Sequence, residues 1–276
     1  MAGMRRKKKT IGLISGLGEL PRTIALEARQ KGYAIAAVNL EGLSDGSVAE
    51  HAEASEWFNA GKAGAIIRFL RKHGAAEAVM AGKVPKSLLL RGGIRPDLKG
   101  AKMLFKLRDR SDDAILRLIS EELEGEGIRL LDMRDFCEGL MTPEGVLTRK
   151  RPGRAGWRDI EYGFHMAREI GRLGIGQTVV VKDRSVVSVE AAEGTDEAIR
   201  RAGDLTGGGA TVVKASRPGQ DMRFDVPVVG LATLEVMVSA GVVALAVEAG
   251  RSIFLQRDEF IRRADRAGIA VVGHAA

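Results

Sequence analysis

Scarcity closes several classes of function to this chain. A single cysteine, Cys137, stands among 276 residues, so no intramolecular disulfide can form and a reducing, cytosolic setting fits. The four histidines, His51, His73, His165 and His274, are scattered without zinc spacing. Any metal would therefore be held by oxygen, which favours Mg²⁺ or Mn²⁺ over Zn²⁺. Aromatic residues make up only 4%, too few for the stacking platforms that single-stranded nucleic acid needs. No apolar run reaches the roughly 18 residues of a membrane span, and no signal-peptide core follows the N-terminal charges. Net positive charge is small, too, outside one place. Of the net +7, five charges belong to Arg5, Arg6, Lys7, Lys8 and Lys9. The body is nearly neutral, so no nucleic-acid partner is expected, and residues 1–9 read as a solvated basic tail able to touch an anionic membrane.

Glycine is abundant, at 35 residues, and predicts tight turns and close backbone approaches around a core of Ala, Val, Ile and Leu. The length suits two domains. Residues 10–15 read as a buried strand, followed by Gly16-Leu17-Gly18 and a helix to about Lys31. Further strands are expected at 34–40, at Trp57-Phe58, at 76–81 and at 128–131. Helices are expected at 63–73 and, capped by Ser111, at 112–124. Alternating strands and helices predict an α/β domain over 10–141 with a parallel, doubly wound sheet. Residues 142–156, rich in Gly, Pro and basic side chains, read as a linker. A distinct, mixed α/β domain then fills 157–276. It opens with a helix at 158–173 and a hairpin turning at Asp183-Arg184. A helix near 196–202 and a strand at 211–214 follow. Helices at 231–240 and 256–267 and strands at 242–247 and 269–273 close it.

Each motif has a chemical and a structural reading. Gly16-x-Gly18 resembles a dinucleotide-binding turn, but Pro21 stands where the third glycine belongs; the alternative is a turn that is glycine-rich for steric reasons. Gly82-Lys83 lies at a strand's carboxyl end, where open sheets place ligands. Residues 86–107 set Leu88, Leu89, Leu90, Met103, Leu104 and Phe105 among basic side chains, as an acyl-chain groove or as core packing. Gly194-Thr195-Asp196 either caps a helix or offers it to a ligand. Most informative is SRPGQDMRFDVPVVG at 216–230. If Gln220 to Asp225 is extended, Asp221, Arg223 and Asp225 share one face and Met222, Phe224 and Val226 the other. Pro227 supports an extended chain. Two carboxylates flanking a guanidinium suit a phosphate and a hard cation, unless the loop is merely solvated with a local Asp–Arg pair.

Taken with IGLISGLGELPR at 11–22, GIGQTVVVKD at 174–183, VEAAEGTDEAIRR at 189–201 and VALAVEAG at 243–250, the segment VVKASRPGQDMRFDVPVVG at 212–230 resembles a known family. This is the LpxI-type UDP-2,3-diacylglucosamine pyrophosphatases of lipid A biosynthesis in Gram-negative bacteria. The resemblance covers the chain beyond the tail. It implies Mg²⁺-dependent hydrolysis of the pyrophosphate bond, giving UMP and 2,3-diacylglucosamine 1-phosphate (lipid X). It also implies a Rossmann-like first domain, a distinct α/β second domain, a lipid-bearing substrate held between them, and an essential Asp225. On that footing Asp225 activates water, directly or through Mg²⁺ (or Mn²⁺), with Asp196, Asp221 and Glu190 as candidate metal ligands. Lys214 and Arg223 would hold phosphate oxygens. Gly16, Gly18, Gly82 and Lys83 would line the first-domain side, while Gln177, Gly194 and Thr195 would meet the nucleotide or sugar. The expected setting is cytoplasmic, with peripheral contact at the inner membrane; oligomeric state has no signature in the sequence. Three rivals are a non-catalytic nucleotide-sugar or lipid-phosphate binding protein, which would release no UMP, a nicotinamide oxidoreductase, which Pro21 disfavours, and a nucleic-acid binder acting through the basic tail, whose salt-dependent affinity would vanish without residues 5–9.

Overall fold

The computed structural model describes residues 8–84, 93–107, 112–223 and 226–275. Two compact units emerge, one from residues through Cys137 together with 221–223, the other from Glu138–Gln220 and residues from 226 onward.

The first unit contains β1 (Thr10–Ser15), α1 (Leu20–Gln30), β2 (Ala34–Leu40), β3 (Ala54–Phe58), α2 (Ala63–Lys72), β4 (Glu77–Ala81), α3 (Leu98–Lys106), α4 (Asp112–Gly125) and β5 (Arg129–Leu130). Its five strands are all parallel, in the order β3-β2-β1-β4-β5. The near-continuous apolar runs of β1 and β2 follow from burial on both faces of such a sheet. Val38, Leu40, Phe58, Ile66, Leu70, Leu123 and Leu130 form its packed core. Strand order reverses at β1/β4, the place where doubly wound sheets open toward ligands. Lys9, read as part of the free tail, instead reaches Glu77 at 2.6 Å. That contact, outweighing burial and joined by Arg129, holds Glu77 below the usual carboxylate range.

The second unit contains β6 (Gly145–Val146), α5 (Arg154–Arg172), β7 (Thr178–Lys182), β8 (Ser185–Val189), α6 (Thr195–Thr206), β9 (Thr211–Lys214), β10 (Val228–Val229), α7 (Leu231–Ser239), β11 (Ala244–Glu248), β12 (Ile253–Phe254), α8 (Arg257–Ala267) and β13 (Ala270–His274). Six of these strands make a mixed sheet in the order β6-β13-β11-β9-β7-β8, and β10 pairs with β12. Period-two burial divides the side chains between two cores. Val180, Val212, Leu245 and Val271 face α6, α7 and α8, through Ile199, Leu234 and Phe260. Val179, Val181, Val213, Ala246 and Val272 face α5, through Ile160 and Phe164. The β7–β8 hairpin turns on Asp183 and Arg184, both at positive φ (52° and 57°). The buried Asp159 carboxylate steadies that turn by accepting from both backbone amides, at 3.2 and 2.7 Å.

The stretch read as a linker is built into this unit. Val146 and Gly145 pair antiparallel with β13, and α5 begins at Arg154, ahead of the expected 158. The expectation of an extended 220–225 also fails over its described part. Residues 222 and 223 form a turn, because the Asp221 carboxylate captures the Arg223 amide at 3.1 Å. A short acidic side chain competes well for a nearby backbone donor.

Candidate functional site

One edge of the second unit's sheet gathers its polar side chains. The strands β9, β11 and β13 run parallel and end together: Lys214 closes β9, while Glu248 on β11 pairs with His274 on β13. Because β7 is antiparallel to β9, its first residue, Thr178, lies opposite Lys214. The next reversal, between β7 and β8, brings Glu190 beside Thr178, with the Glu190 amide donating to the Thr178 carbonyl at 2.9 Å. Strand direction alone thus assembles residues far apart in sequence at the carboxyl edge.

Helix α6 starts at the same edge. Gly194, at φ 92° and ψ 171°, makes its entry turn, a conformation that a side chain would strain. Thr195 then relays a proton-donor chain: the Lys214 ammonium donates to its hydroxyl at 2.9 Å, and that hydroxyl donates to Glu190 Oε1 at 2.8 Å. Burial opposes the charge on Glu190. Lys214 and hydrogen bonding from Thr178, Thr195 and the Gln177 amide win, and its carboxyl is held below the usual range. Glu190 Oε2 is sealed from solvent. Asp196 is turned elsewhere and accepts from the Thr233 hydroxyl at 3.0 Å.

Glu190 is a lowered carboxylate, so its stabilising contribution is complete above the unfolded pKa and lost as pH falls through the folded one. Lys214→Met removes the compensating cation. The variant is expected to lose roughly 1–3 kcal/mol at pH 7, the range for stranding a buried polar partner. The difference should shrink in acid, below the ordinary glutamate value near 4.5, where Glu190 protonates. Urea unfolding of both proteins at neutral and acid pH checks this. A pH-independent gap would mean that lost packing, and not charge, explains the cost.

The edge also holds a network that the sequence reading passed over. Glu248, almost wholly buried, accepts from the Ser216 amide at 2.8 Å and from the Ser216 hydroxyl. Arg251 donates to that hydroxyl at 2.7 Å, and Arg168 stands 3.9 Å from the other carboxylate oxygen. The root of the loop after β9 is thereby clamped. One signal was available: a lone carboxylate ending an otherwise apolar strand, ALAVE, demands buried partners.

In the first unit, Asp221 accepts from the Arg223 guanidinium at 3.0 Å (Nε) and 2.7 Å (NH2). These bonds, with Arg134 nearby, hold its carboxyl below the usual range. Arg223 in turn lies 3.6 Å from Glu124. Asp225 falls outside the described residues. Among those described, no three His, Cys, Asp or Glu side chains are grouped to hold a metal. Asp196 and Asp221 each face the partner just named, and Glu190 faces Thr195.

Gly16, Gly18, Gly82 and Lys83 do come together, at the reversal point of the parallel sheet. Leu17 and Lys83 exchange backbone hydrogen bonds at 3.0 and 2.9 Å, and Gly16 donates to Ala81 at 2.8 Å. A Cβ at Gly16 would lie 2.8 Å from the Lys83 carbonyl oxygen, and one at Gly82 would lie 2.7 Å from that of Leu17. Two loops cross there, backbone against backbone, so the steric reading accounts for both glycines. Cys137 is buried, and burial pushes its thiol up to about 12.

Residues 10–140 match the LpxI N-terminal domain and residues 143–272 the LpxI C-terminal domain. A relative from Caulobacter vibrioides (strain ATCC 19089 / CIP 103742 / CB 15), the UDP-2,3-diacylglucosamine pyrophosphatase LpxI, is 34% identical over 276 residues. The match covers 96% of this chain and 97% of the relative.

Proposed function

The chain belongs to the LpxI family, and from that premise we infer that it hydrolyses UDP-2,3-diacylglucosamine at its pyrophosphate bond. Water adds to one phosphorus, the bridging P–O bond breaks, a proton is released, and UMP and 2,3-diacylglucosamine 1-phosphate leave. The observation that carries this reading is near-complete coverage of both chains by one relative, across both domains. A binding protein that lacks catalysis shares no such ground.

Cleaving a phosphoanhydride calls for an oriented water and for positive charge against the phosphoryl oxygens. Lys214 is suited to the second task, since its ammonium already stands at the sheet edge with one donor directed to Thr195. The amides opening α6, at Gly194 and Thr195, lie at the helix's positive end. Arg223 adds a guanidinium in the matched QDMRFDVP segment, and Asp225 is the group assigned to water. Gln177 joins Glu190 in shaping the edge, its carbonyl accepting from Ala215 at 3.0 Å. Mg²⁺ or Mn²⁺ is the cation of this proposal; bound, it would neutralise phosphate oxygens. Diacyl substrate and product also place the enzyme at a lipid surface as a peripheral protein, and no described helix is long and apolar enough to cross a membrane.

Purified protein supplied with detergent-dispersed UDP-2,3-diacylglucosamine is expected to release UMP and 2,3-diacylglucosamine 1-phosphate in equal amounts. Adding EDTA should stop release, and restoring Mg²⁺ should restart it. Bound but uncleaved substrate would favour the non-catalytic reading, and undiminished rates in EDTA would remove the cation from the proposal.

A further inference from the structure

Helix α3 is held to its unit by one face and turns the other to solvent. Asp97 caps it, accepting from the Gly100 amide at 2.8 Å. Gly100 is buried so closely that an added Cβ would lie 2.1 Å from the Gly61 carbonyl oxygen. Lys99 reaches Glu122 at 2.8 Å and also pairs with Glu126. Those contacts account for the inward side.

The outward side has no such explanation. Phe105 is 92% exposed and Leu98 77%, with Leu104 at 41%. Leu98 and Phe105 stand two helical turns apart and so share a stripe, with Lys102 between them. Lys102 and Lys106 are exposed as well, and none of the helix's nine residues is acidic. Scattered surface leucines are ordinary, but an almost bare phenylalanine aligned with a bare leucine and flanked by lysines is the pattern of an interfacial helix.

We propose that this face of α3 docks on an anionic lipid bilayer, with Phe105 and Leu98 entering the acyl boundary and Lys102 and Lys106 meeting headgroup phosphates. Charge selects that occupant: Lys102 and Lys106 are exposed on a helix without acidic residues, Lys106 comes no closer than 3.9 Å to Glu122 of α4, and an anionic leaflet supplies the opposite sign. The inference rests on the reading that the substrate is a diacyl lipid, which an enzyme must meet at a membrane. It goes further by naming the surface that makes contact.

The test is co-sedimentation of the intact protein with vesicles of phosphatidylethanolamine and phosphatidylglycerol, and with phosphatidylcholine vesicles as the neutral arm. The parent should sediment with the anionic vesicles. Phe105→Glu should lower its partitioning about tenfold, as expected when an apolar anchor becomes an anion. Leu98→Gln, a milder change, should lower it in the same direction, and an unaltered circular dichroism melt certifies either fold. Lys102→Gln with Lys106→Gln should weaken binding at low salt and matter little at high salt. Equal sedimentation of parent and both apolar variants would overturn the proposal, as would a parent that ignores anionic vesicles. UMP release from detergent-dispersed substrate, measured on the same preparations, tells that failure from failure of the hydrolase reading. A dimer that Phe105→Glu dissociates, with vesicle binding unchanged, would assign the face to a second copy and also refute docking.

Discussion

Asp225→Asn is expected to cut UMP release by roughly 10³-fold, within the range for removing a group that moves a proton or orients water in the transition state. Asparagine keeps the shape and removes the charge, so the urea midpoint should stay near that of the parent. The other candidate carboxylates, each already engaged, explain why this effect should not be shared. Asp221 receives four hydrogen bonds from Arg223, one of them from its backbone amide, and a carboxylate held below the usual range is a weak proton acceptor. Glu190 already receives the Thr195 hydroxyl beside Lys214. Asp196 receives the Thr233 hydroxyl. Asp221→Asn should therefore do far less to the rate than Asp225→Asn while loosening the turn at Arg223. Steady-state UMP release, with folding checked on each variant, decides the matter. Parent-like turnover by Asp225→Asn would end its assignment.

Local pattern made most of the fold legible. The apolar runs at 10–15, 34–40 and 211–214 are strands as read, because burial on both faces leaves no other period. The Asp183-Arg184 turn was visible too, as two polar residues between β-branched runs, although its support from Asp159 was not. What escaped depends on partners remote in sequence. Strand β6 is two residues long and exists because β13 lies beside it; its own residues carry no strand signal. The 220–223 segment was misread because alternation suggested an extended chain, while the Asp221 side chain could bond its own backbone two residues on.

The candidate site divides along the same line. Lys214, Glu190 and Thr195 were each suspected, yet only the β8-β7-β9 register makes them one hydrogen-bonded chain. Asp196, suspected alongside Glu190, instead tethers Thr233 at the start of α7. Glycine carried a clearer message than charge. At Gly16 and Gly82 the close crossing of two loops explains the residue, whether or not a phosphate visits.

The same steric logic gives the second large prediction, at Gly176. A Cβ there would lie 2.1 Å from the carbonyl oxygen of Glu190 and 2.9 Å from its carbonyl carbon. Both are backbone atoms, so no side chain can swing aside to relieve the crowding. Nor can the Glu190 backbone retreat freely, since its amide is bonded to Thr178 at 2.9 Å. Gly176→Ala is therefore expected to cost about 3 kcal/mol, at the upper end of overpacking penalties. The accommodation that does occur must move Glu190, and with it the acceptor that orients the Thr195 hydroxyl and faces Lys214. Hydrolysis should fall even at temperatures where the variant remains folded. Gly139→Ala is the matched control in the same unit, because an added Cβ there meets no atom within 4 Å. Urea unfolding and UMP release measured together separate the two consequences. A Gly176→Ala protein as stable as the control would show that the strands part without penalty at this point, and that the position of Glu190 is not fixed by close backbone contact. A destabilised variant with undiminished turnover would leave the packing argument standing and remove Glu190 from the working parts of the site.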